Sequence, residues 1–235
     1  RQMCIRDRSD YNYDNVPTYL YDDNPWNDVQ YLFNKDIFID NTLGVVKYTL
    51  HGQKMPDMDQ YSSWAADHPV GKDYVLQNYS APARCEDQKE FTEKEAEIVR
   101  HNVEENVLDM VKAHPETTFY FYTPPYSALW WYKTKCSGNL KRYFQAEQLQ
   151  AELLLQYDNV KLFSFTDLFD LTCDLDNYKD DTHYSEQISA DIMNWIHDGT
   201  CQMTEANYKS RIENMTDYYL HYNYSKSGIP LAQEN

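Results

Sequence analysis

Glycine is scarce, at 6 of 235 residues, and that scarcity excludes a specific device. Gly44, Gly52, Gly71, Gly138, Gly199 and Gly228 are never followed by Asp-Ser, and none sits in a Gly-x-Ser-x-Gly elbow. The tight turn that exposes a nucleophilic serine at a strand end is therefore not written in these residues. Long apolar runs are missing too. No window approaches the roughly 18 consecutive apolar residues of a membrane span, and the N-terminus carries no apolar signal-peptide core. Positive charge is in deficit: 21 Lys+Arg against 38 Asp+Glu gives a net −17. Such a field repels phosphate backbones and anionic lipid, which excludes nucleic acid as a partner. The five cysteines, Cys4, Cys85, Cys136, Cys173 and Cys201, form no CxxC pair and no regular spacing, so neither zinc nor a disulfide-dense scaffold is expected, and the compartment stays open.

Aromatic residues are what the chain has in abundance: 15% of the total, with 22 tyrosines, enough apolar surface to offset the entropy of ordering. The length favours one domain with an elaboration. Residues 1–8 share no pattern with the rest of the chain and are expected to be a non-native leader, with the authentic chain beginning further upstream. Residues 9–90 are rich in Tyr, Asp and Asn and broken by Pro17, Pro25, Pro56, Pro69 and Pro82, which reads as a loop- and helix-rich cap or insertion whose clearest periodic part is 27–50.

The pattern sharpens at Thr92. Thr92 and Glu95 form a capping box, and Ala96, Val99, Val103, Val107 and Met110 recur at helical spacing, predicting a helix that ends near His114. Asn102 and Asn106 border the stripe and read as surface amides. Residues 117–123 are dense in β-branched and aromatic side chains and stop at Pro124-Pro125, as a buried strand would. A helix over 139–157 comes next, with Tyr143, Ala146, Leu149, Leu153 and Tyr157 inward; then a strand at 160–165, and a helix capped by Ser185 with Ile188, Ile192, Trp195 and Ile196 inward. Strands separated by such helices predict a parallel sheet with helices on both faces, whose sites lie at the carboxyl ends of the strands. Residues 91–200 make up this α/β part, and 201–235 a further helix and polar tail.

The loops at those ends are Pro124-Pro125-Tyr126-Ser127 and the acidic stretch 167–185. The second holds Asn177-Tyr178-Lys179-Asp180-Asp181-Thr182-His183-Tyr184, with Asp and His three apart just before a helix cap. A carboxylate bonded to one imidazole nitrogen fixes the tautomer and steadies the imidazolium while the other nitrogen takes a proton from a hydroxyl. Asp180 and His183 are thus the candidate catalytic pair. Pro125, Tyr126 and Ser127 are candidates for contacting substrate. The acidic run is no EF-hand, lacking the Gly at loop position six and the terminal Glu. The remaining histidines have no ligand spacing, so neither metal nor cofactor is expected.

Asp-x-x-His between the last strand and the last helix resembles the C-terminal block of SGNH/GDSL hydrolases. The Tyr19 to Pro25 run, the Pro124 to Ser127 loop and the Asn177 to Tyr184 stretch resemble uncharacterised bacterial members of that family. The resemblance implies a three-layer, flavodoxin-like parallel sheet carrying the cap, and a serine-dependent esterase or acyl transferase. The implied substrate is a small-molecule or glycan ester, on a carbohydrate or cell-envelope polymer; the implied location is extracytoplasmic or membrane-anchored. Asp180 would orient His183. The family's nucleophile turn and oxyanion residues are not identifiable here, as expected of an N-terminally truncated fragment. The alternative is a non-catalytic protein of the same fold that grips a glycan or partner through its aromatic side chains. The sequence does not fix the oligomeric state.

Overall fold

The computed structural model describes residues 23–33, 36–52 and 68–232, which fall in two compact units divided between His68 and Pro69. The expected leader at 1–8 and the start of the Tyr19 to Pro25 run lie outside the described residues. In the smaller unit α1 (Val29–Leu32) is followed by a widened π-helical turn, Asp36–Leu43, that runs into α2 (Gly44–Leu50).

The larger unit begins with α3 (Lys72–Gln77), then α4 (Glu93–Val103) and α5 (Asp109–Ala113), joined by a π-helical segment, Glu104–Leu108. Thr92 and Glu95 make the expected reciprocal cap. The π segment fits an extra residue into a turn of an otherwise continuous helix, and the apolar stripe changes phase across it. Val103, Val107, Leu108 and Val111 are buried, whereas Met110, expected inward, is 45% exposed. Asn102, expected at the surface, is buried, and its carbonyl accepts from Asn106 Nδ2.

β1 (Phe119–Thr123) leads through the Pro-Pro loop to α6 (Ala128–Cys136) and α7 (Leu140–Leu154), then to β2 (Val160–Ser164). β1 and β2 pair in parallel, Phe119 with Val160 through Thr123 with Ser164. After α8 (Phe169–Thr172) and the acidic loop comes α9 (Glu186–Asp198), ended by Gly199 in the left-handed conformation. The chain then forms β3 (Gln202–Met203), antiparallel to β2, before α10 (Tyr208–His221). The sheet among the described residues is therefore small and mixed, in the order β1-β2-β3, rather than purely parallel. The reversal follows from geometry: α9 ends in a tight Gly199 turn, leaving too little chain for a parallel crossover.

Alternation along β2 assigns its faces. Phe163, with Phe165 just beyond the strand, packs on Ile188 and Ile192 of α9. Val160 and Leu162 join the main core, where Trp131 packs against both Phe144 of α7 and Tyr219 of α10 at ring distances of 4.9 and 4.6 Å. The segment after 200 belongs to this core: Met215, Tyr219, Tyr224 and Ile229 are buried, and Ala232 N donates to Tyr132 Oη.

A disulfide joins Cys85 to Cys136 and closes 51 residues of sequence, a pairing that cysteine spacing does not reveal. The neighbouring backbone takes the same route: Glu86 N donates to Cys136 O and Lys89 N to Gly138 O. Gly138 has φ +71°, and a Cβ there would stand 2.3 Å from Asp87 O. On loop-closure entropy, replacing both cysteines with serine is expected to lower the unfolding free energy by about 4 kcal/mol. Urea titration checks this; Gly138→Ala should destabilise by more than about 1 kcal/mol with the bridge intact.

Candidate functional site

The 177–185 segment folds back on itself. Tyr178 and Tyr184 form an isolated antiparallel bridge, Lys179 N donates to His183 O at 2.8 Å, and Ser185 N donates to Asn177 O at 2.9 Å. At the tip, Asp180 Oδ1 accepts from Thr182 N at 2.8 Å and from His183 N at 2.7 Å, an Asx-type turn that a short acidic side chain favours. The other oxygen, Oδ2, lies 2.6 Å from His183 Nδ1. An ionised carboxylate only accepts, so this contact places a proton on Nδ1 and directs the second ring nitrogen, Nε2, toward base chemistry.

Asp180 and His183 stand at the protein surface, 44% and 50% exposed. Partial burial works to raise the Asp180 carboxyl. The bonds from the His183 and Thr182 backbone amides and from the His183 ring outweigh it and hold the group below the usual carboxylate range.

The structure brings the Pro124 to Ser127 loop against this segment, but not in the way the sequence suggests. Pro125 is buried and its carbonyl accepts from the buried Tyr178 Oη at 2.7 Å. Ser127 is fully buried, and its hydroxyl donates to Asp181 O at 2.8 Å while receiving Trp130 N as the cap of α6. Neither residue offers a surface to substrate, because both polar groups at the loop are taken up by contacts within the fold. Tyr126 is half-buried, packed at a tilt against Trp130 with ring centroids 4.8 Å apart.

Sequence reasoning misses several neighbours. Lys133 of α6 holds Asp181 Oδ2 at 2.7 Å. The Lys179 side chain is only 6% exposed and reaches Glu186 Oε1 at 3.3 Å. The Tyr184 phenol is raised above its ordinary value, first by burial and then by the nearby Tyr122. Alternation in β1 is the signal that could have found Tyr122, since it must share a face with Tyr120. Tyr122 also lines a groove of 450 Å³ between α9 and the sheet, together with Tyr120, Phe163, Met193 and Ile196.

Among the described residues no cluster of His, Cys, Asp or Glu is arranged to hold a metal, and no helix is long and apolar enough to cross a membrane. Comparison with family models, curated proteins and solved structures finds no match to this chain.

Because the folded-state carboxyl of Asp180 is depressed, its contribution to stability is present above the unfolded-state value and is lost as pH falls through the folded one. Asp180→Asn is expected to flatten part of the stability loss between neutral pH and about pH 3. Urea midpoints of the two proteins across that range decide it; parallel curves would show that Asp180 contributes no linkage.

Proposed function

We propose that Asp180 and His183 are the orienting acid and general base of a serine-dependent ester hydrolase or acyl transferase of SGNH type. The observation that carries this reading is the 2.6 Å contact between Asp180 Oδ2 and His183 Nδ1, on a loop that comes after β2 and before a capped helix. In this reading the parallel β1–β2 pair with α9 on one face belongs to a flavodoxin-like sheet. Nε2 takes the proton of a serine hydroxyl as its oxygen bonds to the ester carbonyl carbon. The resulting imidazolium, steadied by Asp180, returns that proton to the departing alkoxide, leaving an acyl-serine. Water or an acceptor hydroxyl, deprotonated in turn by His183, then releases the acyl group and restores the serine.

The reading requires a nucleophilic serine at Nε2, and Ser127 does not supply it, since its hydroxyl is directed into Asp181 O. The substrate we assign is an ester on a carbohydrate or cell-envelope polymer. The Cys85–Cys136 bridge supports a chain that matures where thiols oxidise, and so supports an extracytoplasmic substrate.

The protein is expected to be labelled on one serine by a fluorophosphonate and to cleave p-nitrophenyl acetate. His183→Ala should lower that rate by about 10²- to 10⁴-fold. Absence of labelling and turnover, with retained binding to acetylated polysaccharide, would replace the enzyme by a glycan-binding protein on the same fold.

A further inference from the structure

Asp181, next to Asp180 at the tip, is held by the body of the protein. Two groups hold it there. Ser127 donates both its backbone N–H, at 3.2 Å, and its hydroxyl, at 2.8 Å, to Asp181 O, and Lys133 Nζ meets the Asp181 carboxylate at 2.7 Å. The bonds of Asp180 and Thr182 stay within the tip itself, among Asp180, Thr182 and His183. At the base of the lobe Tyr178 fixes the other end, its hydroxyl on Pro125 O and its carbonyl on Gly71 N.

We infer that Ser127 is the positioning residue of the Asp180–His183 pair: its buried hydroxyl locks the Asp181 carbonyl and thereby fixes the orientation of the imidazole two residues further on. This inference rests on the proposed role of the pair, but not on any turnover. The physical reason is the inequality of the bonds at the tip. The Lys133–Asp181 ion pair is partly exposed and joins flexible side chains, so it restrains distance more than direction. The Ser127 bond is buried, short and made to backbone, and a rotation of the Asp181 peptide would strand both a hydroxyl and an N–H without partners. Rotation about Asp181 also turns the Asp180 carboxylate against the His183 ring, because the chain between them runs through that residue. Ser127 simultaneously caps α6, so the orientation of the pair is tied to the helix that carries the core Trp131.

The test reads the His183 Nδ1 proton directly, in ¹⁵N-histidine-labelled protein, as the downfield resonance of a short imidazole–carboxylate hydrogen bond. Asp180→Asn assigns the signal by removing it. Ser127→Ala is expected to broaden or abolish the resonance, and Ser127→Thr, which restores a hydroxyl, to recover it. Thr92→Ala controls for stability, since it removes the cap of α4 without touching the tip. A Ser127→Ala protein that stays folded with an unaltered resonance would overturn the inference; so would an equal loss in Thr92→Ala. Should Ser127→Ala fail to fold, Lys133→Met gives the second reading: loss of the ion pair should leave the resonance in place, and its disappearance there would give the anchoring to Lys133 instead. Failure of the hydrolase reading shows separately, as absent fluorophosphonate labelling with this resonance intact.

Discussion

The packing of Trp131 is the constraint on which the rest of the larger unit depends. Its ring is fully buried against Phe144 and Tyr219, which locks α6, α7 and α10 into one body. A buried indole N–H must also find an acceptor, and here it donates to Tyr126 O at 3.0 Å. One side chain therefore joins the hydrophobic core to the loop at the carboxyl end of β1. That loop in turn receives Tyr178 and grips Asp181. The position of the Asp180–His183 pair thus traces back to an aromatic ring in a close-packed interior, where a shift at one side chain is passed on to its neighbours rather than absorbed by voids.

Arg211 plays the corresponding part at the opposite edge of the sheet. Its guanidinium binds Asp167 with two 2.7 Å contacts and donates to the carbonyls of Ser164, Cys201 and Gln202. A rigid fork of donors suits this task, because it can satisfy carbonyls from two strands and a carboxylate at once. Together the two residues show why α10 is part of the domain rather than an appendage: it supplies Tyr219 to one centre and Arg211 to the other.

Much of the local structure is legible in the sequence. Thr92 and Ser185 announce their helices, the aromatic run before Pro124 announces β1, and the three-residue spacing of Asp180 and His183 suffices to bring them into contact. What is not legible depends on events that local pattern does not encode. The π-helical segment at Glu104–Leu108 changes the phase of a stripe that a regular helix would have continued to Met110. Cys85 and Cys136 pair because a strap runs beside α6, a tertiary fact invisible in their spacing. Ser127 and Pro125 stand near a strand end, the usual address of a site, yet sequence position says nothing of whether a hydroxyl faces solvent or a carbonyl.

The unequal edges of the sheet have a consequence for growth. β3 is two residues long, with its neighbouring carbonyls engaged by Arg211, while β1 is five residues long, uncharged and, among the described residues, paired on one side. Short edge strands discourage further pairing, and long uncharged ones invite it. Among the described residues the two edges thus differ in kind: the β3 edge is stoppered, and the β1 edge is the one built to pair.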